Sequence, residues 1–212
     1  MGKLQLEIHQ VGRLATNCYF AVNKETSECI IVDPGDEASR LAGLVSEKDY
    51  RVVAILLTHG HFDHILAANR LRDTFKVHIL AFKEEEEMLK DTKERLFGMV
   101  DDEKDLVVEA DELLTDGQIL DLAGFKIKVI HTPGHSKGSC CYYLEDENTL
   151  LSGDTLFEGS VGRTDFPTGS MKEMDDSINN VLMKLPDEVK VFPGHGGSTT
   201  IGIEREANPY VR

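Results

Sequence analysis

Apolar positions along the chain fall into short runs rather than long ones. Near the N-terminus, KLQLEI, CYFAV and CIIVD have strand length and strand composition, and the last ends in the turn signal DPGD. The period then changes. In EASRLAGLVSEK, Ala38, Leu41, Leu44 and Val45 share one face at helical spacing. VVAILLT is almost continuously apolar, as expected of a strand covered on both faces. HILAANRLRDTF reads as a second helix and VHIL as a further strand. Residues 82–98, FKEEEEMLKDTKERLFG, read as an exposed helical stretch. Their four consecutive glutamates read as a solvated face, since no aspartate–glycine loop accompanies them.

The second half is richer in strands. QILDL, FKIKVIH, CCYYLED and TLLSGD follow one another closely, and KVFPGH adds another. Between them, SMKEMDDSINNVLMKL reads as a helix opened by Ser170, with Glu173 three residues on completing a capping box. No low-complexity linker divides the halves. Strands in both, with helices to cover the outer faces, predict two packed sheets with helices outside. Pattern alone leaves a doubly wound single sheet as a competitor. The 212 residues suffice for one sizeable domain with its own core.

Charge narrows the partners. The formal net charge of -15 argues against nucleic acid, whose phosphates need clustered Lys and Arg, and against anionic membrane surfaces. No apolar run approaches the ~20 residues that span a bilayer. The start, MGKLQLEIHQ, has no signal-peptide core, and Leu6 stands where a myristoylation signal needs Ser or Thr. A cytoplasmic location is expected. Cys18, Cys29, Cys140 and Cys141 form no C-x-x-C pair and sit in apolar runs, as reduced buried thiols do.

The candidate chemistry sits at strand ends. THGHFDH, directly after VVAILL, places His59, His61, Asp63 and His64 in one turn. Imidazole and carboxylate are ligands that zinc, iron and manganese accept. His59 and His61, two apart in an extended turn, can face one ion, whereas the adjacent Asp63 and His64 more naturally serve a second. Three later turns each follow a strand: HTPGH offers His131 and His135, SGDT offers Asp154 and FPGH offers His195. His9 and His78 have no such setting and read as ordinary strand or surface histidines.

Together, THGHFDH, HTPGH, the GD of 153–154 and the PGH of 193–195 resemble the metallo-β-lactamase superfamily, in that family's order and over nearly the whole chain. NCYFAV, VDPGDE, GRTDFPTGS and EREANPYVR are most similar to its compact glyoxalase II-like hydrolases. The resemblance implies an αββα sandwich of two mixed β-sheets with helices on the outer faces. It implies two divalent metal ions, zinc first and iron or manganese as alternatives. One ion would be held by His59, His61 and His135, the other by Asp63, His64 and His195, with Asp154 bridging. Asp63 and Asp154 would carry catalysis with a hydroxide held between the ions, which would attack the acyl carbon of a small thioester such as S-lactoylglutathione. His131 and Asp33 would support the ligands rather than coordinate. Arg163, close after Asp154, would contact a carboxylate of the thiol carrier or would instead pair with Asp165 or another local carboxylate. The chain ends 17 residues past His195, where full-length glyoxalase II carries a helical glutathione-binding domain, so a single domain over 1–212 is expected, as monomer or small homo-oligomer. The competing expectations are a persulfide dioxygenase using one iron on His59, His135 and Asp154, and a lactonase, phosphodiesterase or β-lactamase of the same fold.

Overall fold

The apolar runs become two six-stranded sheets packed face to face. A computed structural model describes residues 2–90 and 107–212. The first sheet has the order β1 (Leu4–Val11), β2 (Thr16–Asn23), β3 (Glu28–Val32), β4 (Arg51–Leu57), β5 (His78–Phe82) and β6 (Glu112–Leu114). Its first three strands are antiparallel neighbours, and β3 to β6 are parallel. The second sheet contains β7 (Ile119–Leu122), β8 (Phe125–His131), β9 (Cys140–Leu144), β10 (Thr149–Gly153), β13 (Lys190–Pro193) and β14 (Thr199–Thr200), and β10 and β13 run parallel. A separate hairpin joins β11 (Leu156–Phe157) to β12 (Ser160–Val161).

Strand alternation sorts the apolar side chains into three layers. Along β4, Ala54 and Leu56 point between the sheets, where they meet a cluster that includes Phe125, Ile127, Val129 and Tyr142 of the second sheet. Ile55 and Leu57 point outward against helices α1 (Ala38–Glu47) and α3 (Ala68–Phe75), through Leu41, Val45 and Leu71. On the far side, Ile130, Cys141, Tyr143 and Val191 meet Met174 of helix α5 (Met171–Asp176) and Ile201 of α6 (Ile201–Ala207). This is the αββα sandwich, and it explains why β4 reads as continuously apolar: both of its faces are covered.

Several local expectations change. HILAANRLRDTF is interrupted: a single turn, α2 (Phe62–Ile65), precedes α3, and the Ala67 N–H between them donates to the Pro34 carbonyl at 2.9 Å. The Ser170 hydroxyl accepts from the Glu173 N–H as a cap should, but the helix widens to a π turn at Ser177–Val181 and tightens to a 3₁₀ turn at Leu182–Lys184. The stretch 82–98 is not simply exposed. A 3₁₀ turn, Lys83–Glu85, leads into α4 (Glu86–Lys90), and Glu85, Met88 and Leu89 are buried. A helical segment laid on a core must bury one side, and in this run that side includes a glutamate. Residues 91–98 of that reading lie outside the described residues. All four cysteines are buried free thiols. No helix among the described residues is long and apolar enough to cross a membrane.

Candidate metal centre

The parallel strands bring their C-terminal ends to one edge, where the ligand-bearing turns meet. Hydrogen bonds between the sheets fix these turns. The Tyr142 hydroxyl donates to the Leu57 carbonyl at 2.7 Å, and the Cys140 N–H donates to the Thr58 carbonyl at 2.9 Å, just before His59. From β2, the Tyr19 hydroxyl and the Asn17 amide both donate to the Pro193 carbonyl, at 2.6 and 3.0 Å, and so hold the turn that carries His195. Two glycines permit close approach. A Cβ on Gly194 would lie 2.2 Å from Asp154 Oδ1, and one on Gly153, which has φ of 49°, would lie 2.4 Å from Thr58 Oγ1.

Seven of the side chains singled out in the sequence converge there. His59, His61 and His135 form one group and Asp63, His64 and His195 another, each with ligand-type atoms within 4.8 Å of one another. Asp154 faces both: its Oδ1 is 3.5 Å from His64 Nε2, and its Oδ2 is 3.6 Å from both His135 Nε2 and His195 Nε2. His61 Nδ1 and His135 Nε2 are 2.8 Å apart, and His195 Nε2 is 3.2 Å from Asp63 Oδ2.

This arrangement fits divalent cations. His59 Nε2, His64 Nε2 and Asp154 Oδ1 are buried and have no hydrogen-bond partner among the described residues. Polar atoms buried without partners are costly, and ones that belong to close clusters of ligand-type atoms are suited to a cation. The opposite ring nitrogens are engaged. His64 Nδ1 is 3.0 Å from Asp33 Oδ2, His135 Nδ1 is 2.8 Å from the Arg163 carbonyl, and His59 Nδ1 is 3.1 Å from Thr58 Oγ1. A carboxylate or carbonyl on one nitrogen makes that nitrogen the donor and leaves the other free to coordinate. Thr16 Oγ1 donates to Asp63 Oδ2 at 2.8 Å.

Asp33, His59 and His64 also lie close enough to form a third group. The carboxylate of Asp33, however, already accepts from the Thr58 N–H at 2.7 Å and the Thr58 hydroxyl at 2.6 Å besides facing His64. That carboxylate is therefore already engaged on both oxygens. Asp33→Ala is expected to cost about 2–4 kcal/mol of stability, because it strands the buried Thr58 N–H and removes the acceptor facing the Thr58 hydroxyl and His64 Nδ1. Denaturant unfolding of the metal-free protein measures this, and a loss below about 0.5 kcal/mol would contradict it. His131 joins no group. Its ring stacks on Phe82 at 4.3 Å, and its Nε2 lies 3.0 Å from the Lys137 carbonyl, so it supports the loop of His135. His9 pairs with Glu7, and His78 is exposed.

Electrostatics separate the two groups. Burial, reinforced by neighbouring imidazoles, pushes His59 well below the ordinary histidine range and His61 down to about 3. Burial also lowers His135, against the pull of Asp154. For His64, burial is outweighed by Asp63, Asp154 and Asp33, and the ring is pushed up to about 10. His195 is raised as well, since its hydrogen bond to Asp63 and the charge of Asp154 overcome burial. Burial of Asp63 is likewise outweighed, by His64, His195 and Thr16, so its carboxyl is held below the usual range. The trihistidine group is thus neutral when metal-free, whereas the other group holds protons.

Above the centre opens a cavity of about 480 Å³, walled by Leu14, Phe62, Phe157 and Phe166 beside the ligands and Arg163. Arg163 is placed at the cavity as its position after Asp154 suggests. Its fork, however, is engaged by Asp165, with Nε and Nη2 each 2.7 Å from a carboxylate oxygen, and its guanidinium lies 3.7 Å over the Phe166 ring. The i, i+2 spacing of Arg163 and Asp165 signals this pair in the sequence. The apolar wall and the bracing by Thr16 and Asn17 carry no comparable signal.

A family model described as the metallo-beta-lactamase superfamily matches residues 11–195. The hydroxyacylglutathione hydrolase GloC of Haemophilus influenzae is 35% identical over 211 residues, covering 98% of each chain. Among solved structures, the BLEG-1 B3 metallo-beta-lactamase superposes with a TM-score of 0.90 at 38% identity, covering 97% of this chain and 99% of that one. The protein TTHA1623 in a di-iron-bound form gives 0.85 at 33% identity, covering 96% and 99%.

Proposed function

The chain belongs to the metallo-β-lactamase superfamily, and from that premise we propose that it is a binuclear metal-dependent hydrolase that cleaves S-acyl thioesters. The observation that carries this reading is Asp154, set between two complete ligand groups on the floor of an apolar-walled cavity. His59, His61 and His135 would hold one ion, Asp63, His64 and His195 the second, and Asp154 would touch both. When bound, such ions polarise a carbonyl and lower the pKa of water to about 7, which supplies a nucleophile at neutral pH.

The chain's own residues do the rest. Phe62, Phe157 and Phe166 can seat the methylenes of acyl group and thiol and shed water from them. Asp33 and the Arg163 carbonyl keep His64 and His135 in the tautomers that present Nε2. Hydrolysis adds water across the C–S bond and yields a carboxylic acid and a thiol. A thiol has an ordinary pKa of about 8.5, so it departs as thiolate with little help from a general acid. A cysteine nucleophile is disfavoured, because burial raises the thiols of Cys18, Cys29, Cys140 and Cys141. The GloC relative is what supports a thioester as the bond cleaved. The Arg163–Asp165 pair leaves the thiol carrier open, since an exposed ion pair is worth about 0–1 kcal/mol and can exchange partners.

The test is turnover of S-lactoylglutathione beside non-glutathione thioesters, using protein whose metal content is measured. Turnover of at least one thioester in proportion to metal is expected. Metal-loaded protein that hydrolyses none would overturn the reading. Oxygen consumption with glutathione persulfide at one iron per chain would replace it with the dioxygenase.

A further inference from the structure

Glu85 stands in the run of four glutamates, yet it is 1 % exposed. Its carboxylate reaches the loop that delivers His135. Oε1 accepts from the Ser136 hydroxyl and, at 3.1 Å, from the Gly138 N–H. That loop is closed on itself by Ser139, whose Oγ accepts from the Ser136 N–H at 3.1 Å and lies 2.7 Å from Ser136 Oγ. The fit is close on the backbone side too, since a Cβ on Gly138 would lie 2.4 Å from the Glu85 nitrogen. The second carboxylate oxygen turns the other way. It faces Gly60, the residue between His59 and His61, where a Cβ would lie 3.1 Å from Glu85 Oε2.

One buried carboxylate thus holds the His135 loop by hydrogen bonds and lies close beside the turn of His59 and His61. We propose that Glu85 is a positioning residue that sets the spacing of the His59–His61 turn against the His135 loop, and through it the metal affinity of the trihistidine group. The inference rests on the reading above that this group holds a metal. Two donors separated by one residue converge on one oxygen, so the loop has a single seat. Without that oxygen the Gly138 N–H is stranded in a buried place and the Ser136 hydroxyl keeps only Ser139 Oγ, and the loop relaxes until the lost bonds are replaced. The cost then falls on ligand geometry, since groups that hold metal ligands in place commonly govern affinity by 10–100-fold. Glutamine offers an oxygen at the same point and is the conservative control.

Titration of metal-free protein with cobalt(II), followed by visible absorption, reads affinity and ligand field together. Glu85→Ala is expected to weaken binding at the trihistidine group by about 10–100-fold and to shift its absorption band, with the second site little changed. Glu85→Gln is expected to restore affinity to within about threefold of the parent. A purely structural role would lower the melting temperature of metal-free protein and leave the folded protein's cobalt affinity and spectrum as they were. Parental affinity and spectrum in Glu85→Ala would therefore overturn the proposal. Should Glu85→Ala fail to fold, Ser136→Ala removes one donor and keeps the carboxylate. A weakening of about three- to tenfold is expected, and no change would equally overturn the proposal. Normal cobalt uptake by the parent with an unaffected variant contradicts this inference alone. A parent that takes up no cobalt contradicts the metal centre as well.

Discussion

Asp154→Asn is expected to lower kcat/KM for a thioester by about a thousandfold, corresponding to about 4 kcal/mol of lost transition-state stabilisation. The substitution keeps the shape of the side chain, so the tight approach of Gly194 to Oδ1 is preserved. It removes the negative charge, and it turns one oxygen into an amide donor that faces the imidazole nitrogens proposed as ligands. Because Asp154 lies 3.5 Å from His64 Nε2 on one side and 3.6 Å from His135 Nε2 on the other, both ligand groups lose a partner at once. Asp63→Asn provides the contrast. Asp63 approaches His195 Nε2 at 3.2 Å and His64 Nε2 at 3.5 Å and belongs to one group only, so this variant is expected to keep the trihistidine metal and lose the other. Kinetics with metal analysis on both proteins distinguish the roles. An Asp154→Asn enzyme with two metals and parental kcat/KM would contradict the bridging assignment. Asp63→Asn with both metals would contradict the assignment of Asp63.

Metal affinity is expected to depend on pH at one group and not at the other. A cation needs neutral imidazole. His64 in metal-free protein is held at about 10, so below that value it carries a proton that the incoming ion must displace. Affinity of the Asp63–His64–His195 group therefore rises with pH, by about tenfold per unit for each proton released, between roughly pH 6.5 and 9. His195, also raised, adds its own proton release to that of His64. The trihistidine group behaves differently. His61 titrates at about 3, and His59 and His135 are lowered too, so all three are already neutral through this range and affinity there is flat. Two binding phases measured by calorimetry in buffers of different ionisation heat would show proton release from one phase only. Equal proton release in both would contradict the electrostatic separation.

What the sequence makes legible follows from locality. The ligand turns are visible because each places its histidine or aspartate within a few residues of a strand's end, and a parallel arrangement brings those ends to one edge. Cover on both faces is visible through β4, whose unbroken apolar run requires it, but a doubly wound single sheet meets the same requirement, so the pairing of two sheets is not. Features that depend on distant partners are not visible. Glu85 looks solvated in KEEEEML because its donors, Ser136 and Gly138, lie 51 and 53 positions further along the chain. The grip of Asn17 on the Pro193 carbonyl spans 176 positions. The break between α2 and α3 is hidden for the same reason, since the Pro34 carbonyl that receives the Ala67 N–H belongs to a different loop. Short pieces such as β6, β14 and the β11–β12 hairpin carry too few residues for any period to show.

The central claim is that two ions act together in one site. The most direct measurement is thioesterase activity of metal-free protein during stepwise reconstitution, with bound metal counted at each step. Activity is expected to stay low through the first equivalent, which fills the trihistidine group, and to rise steeply to a plateau at two ions per chain. Full activity at one ion per chain, or none at two, would contradict it.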